Sequence, residues 1–212
     1  MGEMSVELSL GPDEQVAGRS FSDPAETARD AEVMRLMLAR QRVLAGAWRQ
    51  REEQGAWLSE RSEEGRRHLL VVPDRARLLG ALDVTVVGFF GQQRLEDDHA
   101  VVFALEQDVL ESFPAYAKVG LLSYYDLELS DGRFGNLILF WTPDLPAEWY
   151  RNPAHEQAVS IAPQHYHSVR LHRGKIPGRL LDGAELAVER TRYLAFEAGE
   201  TWRAMRAFAP PV

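Results

Sequence analysis

Two segments of the chain carry polar residues of the kinds used in acid–base chemistry, placed at every second position. They are Tyr124, Asp126 and Glu128 within 120–129, and Ser168, Arg170 and His172 within 167–173. Because alternate residues of a β-strand point to the same face, each segment is predicted to have one polar face. We expect the two polar faces to converge on one cleft. There Asp126 or His172 would accept a proton and Arg170 would hold an anionic oxygen, which makes these three the predicted catalytic residues.

Further residues are predicted to line a small-molecule pocket in the same cleft. They are Tyr124, Glu128, Trp141, Trp149 and His155. The aromatic members suit a flat apolar or aromatic ligand, although aromatic residues at these spacings also fill ordinary cores. The alternative for the ionisable groups is an ion-pair network at a subunit interface, since polar sheet faces often meet partners or water. The residues alone leave both interpretations open.

The order of elements between 82 and 174 predicts how these residues are positioned. The segment 82–90 is β-branched and aromatic, as a buried strand should be, and Asp131-Gly132 is a strong hairpin signal. Pro153 predicts a kink in the second helix, or two short helices. The succession of strand, helix, strand, hairpin, strand, helix and strand predicts an α+β fold. Its core would be a ferredoxin-like β-α-β-β-α-β unit with an antiparallel sheet.

The core is predicted to have three flanking segments. A mobile lead-in spans 1–22, a helical extension spans 23–67, the core spans 68–177 and a C-terminal extension spans 178–212. Ser22 or Asp23 should cap the first helix, with Pro24 at its first position. That helix either docks on its own domain or forms an arm between subunits. Near the end of the chain, the segment 200–208 is predicted to be helical.

Two stretches resemble a known superfamily when taken with this order of elements. They are the third strand, Leu137-Ile-Leu-Phe-Trp141, and the second helix, Trp149-Tyr-Arg-Asn-Pro-Ala-His155. The pattern resembles the dimeric α/β-barrel superfamily, which includes antibiotic-biosynthesis-monooxygenase-like and haem-degrading proteins, and it covers less than half of the chain. The resemblance implies a homodimer with two sheets face to face and a ligand cleft between sheet and helices. It also implies oxygenase chemistry without a separate cofactor, or haem held by His155.

Composition narrows the possible partners. The chain has 212 residues, a formal net charge of −8 and no cysteine. An acidic balance argues against a general nucleic-acid binder, and no apolar run is long enough for a membrane helix. The lack of cysteine favours a cytoplasmic location and excludes thiolate metal sites, and no metal site is predicted. The sequence therefore predicts a homodimer with a small-molecule pocket, monooxygenase-like or haem-binding. The alternative is a non-catalytic dimeric scaffold or small-ligand sensor.

Overall fold

A computed structural model of the chain shows one large sheet with helices on both of its faces. It describes residues 7–94, 99–129, 133–145, 147–197 and 200–208. The strands are β1 (Leu8–Leu10), β2 (Trp57–Glu63), β3 (Arg66–Val72), β4 (Leu82–Gln93), β5 (Leu121–Glu128), β6 (Phe134–Phe140), β7 (Tyr166–Arg179), β8 (Ala187–Glu197) and β9 (Glu200–Ala207). The helices are α1 (Pro24–Gln50), α2 (Arg75–Gly80), α3 (His99–Glu111), α4 (Phe113–Val119), α5 (Ala147–Tyr150) and α6 (Pro153–His165).

The sheet is mixed, and its strand order is β1-β9-β8-β7-β4-β6-β5-β3-β2. The pairing of β1 with β9 is parallel, and every other pairing is antiparallel. The longest strands, β4 and β7, lie next to each other near the middle. Because paired residues of neighbouring strands lie on the same face, the register assigns each side chain to one face of the sheet.

The predicted ferredoxin-like fold is wrong, because the sheet does not end at four strands. The elements expected between 82 and 174 do occur in order, as β4, α3, β5, β6, α6 and β7. They form only the middle of a nine-stranded sheet, however, which β2 and β3 extend on one side and β8, β9 and β1 extend on the other. The sheet thus runs through all four predicted segments, from 1–22 to 178–212. The predicted hairpin at Asp131-Gly132 lies outside the described residues.

Helix α1 covers one face of the sheet, which we call the α1 face. Asp23 caps the helix as predicted, its side chain accepting a hydrogen bond from the Ala25 amide at 2.8 Å. The buried side of the helix packs on β4, β5 and β6 through a shared apolar core that contains Met34, Met37, Leu38, Val86, Phe90, Tyr125, Leu137 and Leu139. The helix lies close to the strands at Gly88, where any side chain in place of the glycine hydrogen would collide with the sulfur of Met34. The helix therefore docks on its own sheet.

Helices α3 to α6 cover the opposite face, which we call the α3 face. A second apolar core lies there and contains Val87, Phe113, Tyr116, Leu121, Ile138, Phe140 and Trp149. Pro153 begins α6 after Asn152, whose side chain accepts hydrogen bonds from the amides of Ala154 and His155. The expected interruption of the second helix at Pro153 is therefore confirmed, with α5 before it and α6 after it.

The flanks were predicted less well than the middle. Residues 59–67, which fall in the predicted helical extension, form most of the β2–β3 hairpin, whose alternating charges lie along a sheet edge. The segment 200–208, expected to be a helix, contains strand β9. Its apolar residues Trp202, Met205 and Phe208 imitate helical spacing, but the buried residues Ala204 and Arg206 follow the alternation of a strand. A long-range pairing with β8 decides the structure of this segment.

Candidate functional site

A group of polar side chains, one buried and four half-buried, lies on the α3 face between the sheet and helix α3. It comprises Arg67 of β3, Glu106 of α3, Tyr124 and Asp126 of β5 and Asn136 of β6, and we call it the carboxylate cluster. Arg67 Nη1 lies 2.8 Å from Glu106 Oε2 and 3.2 Å from Asp126 Oδ2, so one guanidinium bridges two carboxyl groups. Tyr124 donates a hydrogen bond to Glu106 at 3.4 Å, and Asn136 donates to both Tyr124 and Asp126.

The register explains why these side chains meet. Asp126 pairs directly with Asn136 across β5 and β6, and Leu69 of β3 pairs with Asp126 from the other side. Arg67 is two residues from Leu69 on the same strand and therefore shares its face. Glu106 is the one member of the cluster that comes from a helix. Helix α3 lies over this face of the sheet and places the Glu106 side chain against the strands.

Burial changes the protonation of the cluster. Burial is the largest cause, and the neighbouring Glu106 carboxylate adds to it; together they outweigh Arg67 and raise the pKa of Asp126 to about 8. Burial also raises the pKa of Glu106, although its contacts with Arg67 and Tyr124 oppose this. The pKa of Tyr124 is raised well above its usual value, again chiefly by burial and then by Asp126. At neutral pH the cluster therefore holds a protonated Asp126 beside a permanently charged guanidinium.

An open depression on the surface meets the cluster at Arg67. It has a volume of about 440 Å³ and is lined by Glu60, Arg67, Ala104 and Gln107. Arg67 belongs to both the depression and the cluster, and its Nε donates to Glu60 at 2.6 Å. Arg67 also fixes Glu128, whose side chain accepts a hydrogen bond from the Arg67 amide at 3.2 Å. A molecule in the depression would thus contact the outer side of the guanidinium that touches both buried carboxyl groups.

This arrangement has the parts needed for proton transfer. A carboxyl group whose pKa lies above neutral pH can donate a proton, and a neighbouring carboxylate can accept one. A guanidinium beside them can stabilise an oxygen that becomes negative. Pairs of titratable groups whose surroundings shift their pKa values are enriched at functional sites, although structural ion pairs also shift them.

The predicted catalytic residues do not meet in one cleft, because the sheet separates them. Arg170 pairs with Phe90, which pairs with Gly135, so Arg170 lies on the α1 face. Asp126 pairs with Asn136, which is adjacent to Gly135 and therefore points to the α3 face. The alternation within each strand was predicted correctly, but the polar sides of the two strands face opposite ways. Tyr124 and Glu128 stay with Asp126, while His172 stays with Arg170.

Arg170 and His172 form a buried network with Asp30 of α1. Arg170 donates two hydrogen bonds to Asp30, and His172 Nε2 lies 2.9 Å from Asp30 Oδ2. The other ring nitrogen of His172 lies 2.8 Å from the Thr191 hydroxyl. Burial alone would raise the pKa of Asp30, but the hydrogen bonds from His172 and Arg170 outweigh it and lower that pKa. Burial lowers the pKa of His172, which is therefore neutral at neutral pH.

This second network explains why a partner subunit is not needed to cover the α1 face. All four residues, Asp30, Arg170, His172 and Thr191, are at most 3 % exposed. The carboxylate that pairs with Arg170 comes from α1 of the same chain and not from Asp126 or Glu128, so the predicted interface network does not form from these residues. The second sheet face, whose exposure motivated the predicted homodimer, is covered by α1 at β4, β5 and β6, and the homodimer stays a prediction.

The predicted aromatic lining is divided between core and surface. Trp149 is buried against Phe140 and Tyr116, with ring centroids 5.4 and 5.0 Å away, so it fills the core of the α3 face. Trp141 is 43 % exposed and lies near the Arg77 guanidinium. His155 packs against Trp149 at 5.3 Å, and burial lowers its pKa. Haem binding through His155 stays a prediction.

Sequence reasoning missed Arg67, Glu106 and Asn136, which complete the carboxylate cluster. Arg67 falls at the end of the predicted helical extension, and Glu106 lies on a helix for which no site residue was predicted. Asp30 was also missed. The available signal was weak: Asp30 is an acidic residue among the buried, mostly apolar positions of α1.

Comparisons with protein-family models, with curated proteins and with solved structures find no match for this chain. The resemblance to the dimeric α/β-barrel superfamily therefore stays a prediction. Across the described ranges, no helix is long and apolar enough to cross a membrane. Nor do three or more acidic or histidine side chains group there in a way that could hold a metal ion.

Proposed function

We propose that this chain is a proton-transfer enzyme that acts on a small molecule bound in the depression beside Arg67. The observation that carries the proposal is that Arg67, which lines an open depression, bridges Glu106 and Asp126 behind it. In the proposed complex, a ligand bound against the fixed positive charge of Arg67 also reaches the base and the acid that Arg67 joins. The cytoplasmic location predicted from composition is part of the same proposal.

Each residue has a distinct role in the proposed reaction. Glu106, as the carboxylate, takes a proton from a carbon next to a carbonyl group or from an aromatic hydroxyl. The electron pair left behind moves onto the substrate oxygen, where Arg67 stabilises the negative charge. Protonated Asp126 returns a proton to the substrate, after which Glu106 passes its own proton back to Asp126. The net result is an isomerisation or proton exchange that needs no oxidant.

Proton exchange in D₂O tests the proposal without knowledge of the natural substrate. The protein is incubated with a panel of small carbonyl compounds with acidic C–H groups and with phenols. Loss of each C–H signal is followed by proton NMR. We expect at least one compound to exchange faster with the protein than without it. The variant Glu106→Gln should slow this exchange by about 100-fold or more, since an amide is not a base.

A matched variant distinguishes the base from a general change in charge. Glu111→Gln removes the same charge from an exposed position of the same helix and should leave the exchange rate unchanged. Equal rates for Glu106→Gln and the unmodified chain would contradict the proposal, as would the absence of exchange for every compound. Consumption of O₂ during exchange with a phenol would support the monooxygenase-like prediction, since oxygenation of that kind begins with the same deprotonation.

A further inference from the structure

A second group of charged side chains lies on the other half of the sheet, across β6 and β4 from the carboxylate cluster. Arg173 of β7 and Arg190 of β8 are directly paired, and Arg192 is two residues further along β8 on the same face. This is the α3 face, because Arg173 also pairs with Val87 of its apolar core. We call Arg173, Arg190 and Arg192 the arginine cluster.

The positive charges of this cluster are only partly balanced within the chain. Arg192 forms an ion pair with Glu7 at 2.6 Å. In contrast, no carboxylate of the described residues lies within ion-pair distance of Arg173 or Arg190. The acidic neighbour of Arg190, Glu189, is paired instead with Lys175 at 3.0 Å. Like charges placed directly opposite each other on two strands are destabilising, so the pairing of Arg173 with Arg190 has a cost that an anion would remove.

Arg173 is held in place before any ligand arrives. Its Nη2 donates a hydrogen bond to the Tyr150 hydroxyl at 2.7 Å, which fixes the guanidinium at the end of α5. Burial lowers the pKa of Arg173, the contact with Tyr150 opposes this, and the charges of Arg190 and Arg192 lower the pKa further. A half-buried, oriented guanidinium next to two exposed ones is a suitable receptor for a small anion, because less side-chain freedom is lost on binding.

The geometry points to a binding site for a phosphate group between Arg173, Arg190 and Arg192. A phosphate dianion can accept hydrogen bonds from several guanidinium groups at once, and their planar forks match its oxygens. The Tyr150 ring, which is 51 % exposed, borders the same place and offers an apolar surface for the organic part of a phosphomonoester. This inference stands independently of the proton-transfer proposal, because the two sites share no residue.

Calorimetric titration with inorganic phosphate and with phenyl phosphate, at low ionic strength, tests the site. We expect saturable binding of both, and tighter binding of phenyl phosphate if the natural ligand is a phosphomonoester rather than free phosphate. Arg190→Gln should weaken binding of inorganic phosphate by about tenfold or more, since a charge-assisted contact is lost. Tyr150→Phe should weaken it less, because it removes only the group that orients Arg173.

The control is Arg35→Gln, which removes one positive charge from the exposed side of α1 on the opposite face of the sheet. It should bind phosphate as the unmodified chain does. Titrations that do not saturate, or equal affinities for Arg190→Gln and Arg35→Gln, would overturn the inference. Tight binding of a single-stranded oligonucleotide that phosphate does not displace would also overturn it, since the cluster would then be a nucleic-acid surface.

Discussion

Asp126 keeps its proton to a higher pH than an exposed aspartate does, and this should be measurable as a change in stability. Its pKa is about 8 in the folded chain, against about 4 when unfolded. Between these values the folded state holds one more proton than the unfolded state, so the free energy of unfolding falls as the pH rises. From about pH 5 to about pH 8, the free energy of unfolding of the unmodified chain should fall by on the order of 3 kcal/mol because of this residue. Asp126→Asn has no ionisable group at this position and should not show this fall.

Urea unfolding of both proteins at the two pH values measures this difference. Asp108→Asn is the matched control, because it removes an exposed carboxylate from helix α3, the helix that carries Glu106. It should keep the pH dependence of the unmodified chain. If Asp126→Asn also kept it, Asp126 would have to be ionised in the folded state, and the role of proton donor would be lost.

At the residue scale, the sequence predicts which side chains share a face within one strand but not which strands share a cleft. Tyr124, Asp126 and Glu128 do lie on one face, as their spacing requires. Their predicted partners Arg170 and His172 lie on the opposite face. The register through β6 and β4 places the polar side of β7 on the other face of the sheet from the polar side of β5. A shift of one residue in register exchanges the two faces of a strand, and nothing local to β7 determines it.

Among the elements, α1 is joined to β7 by a buried polar contact. Asp30 lies on its buried side and receives hydrogen bonds from Arg170 and His172 of β7. Arg170→Ala would leave the Asp30 carboxylate buried with one neutral partner, so we expect it to lower the free energy of unfolding by about 3–5 kcal/mol. Urea unfolding at neutral pH gives this value, and sizing shows whether the loss involves a change of oligomeric state.

The control for this prediction is Arg29→Ala on the same helix. Arg29 forms an ion pair with Glu26, but its side chain is 67 % exposed. Exposed pairs contribute little, and we expect a change within about 0.5 kcal/mol. Similar effects for the two variants would mean that Arg170 is not the residue that anchors α1. A loss of ligand binding by Arg170→Ala without loss of stability would return Arg170 to the functional site.

Elements with strong local signals could be predicted, and elements that depend on distant pairing could not. The β-branched run in β4 and the Asp23-Pro24 start of α1 are local, and both were predicted. Strands β2 and β9 lie towards the two edges of the sheet, where one face or edge is open to solvent. Their sequences therefore contain charges at positions that would be apolar in a central strand, and this hides the strand pattern.

At the scale of the whole molecule, the sheet brings the two ends of the described chain together. Strand β1 pairs in parallel with β9, and the segment 11–22 crosses the α1 face beside them. Arg206 of β9 is fully buried there and donates hydrogen bonds to the backbone carbonyls of Gly11, Glu14 and Ser22. One guanidinium thus satisfies three carbonyls of a segment that has little regular structure of its own.

We expect Arg206→Gln to release this segment without unfolding the middle of the sheet. A glutamine side chain can replace at most part of the three contacts, and the freed carbonyls then favour solvent. The backbone amides of Ser22 and Asp23, which are bonded to the carbonyls of Arg19 and Ser20, should exchange with D₂O about tenfold faster or more. Amides of β4 and β6 should keep their protection, as should all of these amides in Arg35→Gln. Equal acceleration in the segment and in β4 would mean that Arg206 stabilises the whole sheet. Unchanged exchange at Ser22 and Asp23 would mean that other contacts hold the segment, such as the ion pair of Arg19 with Glu197.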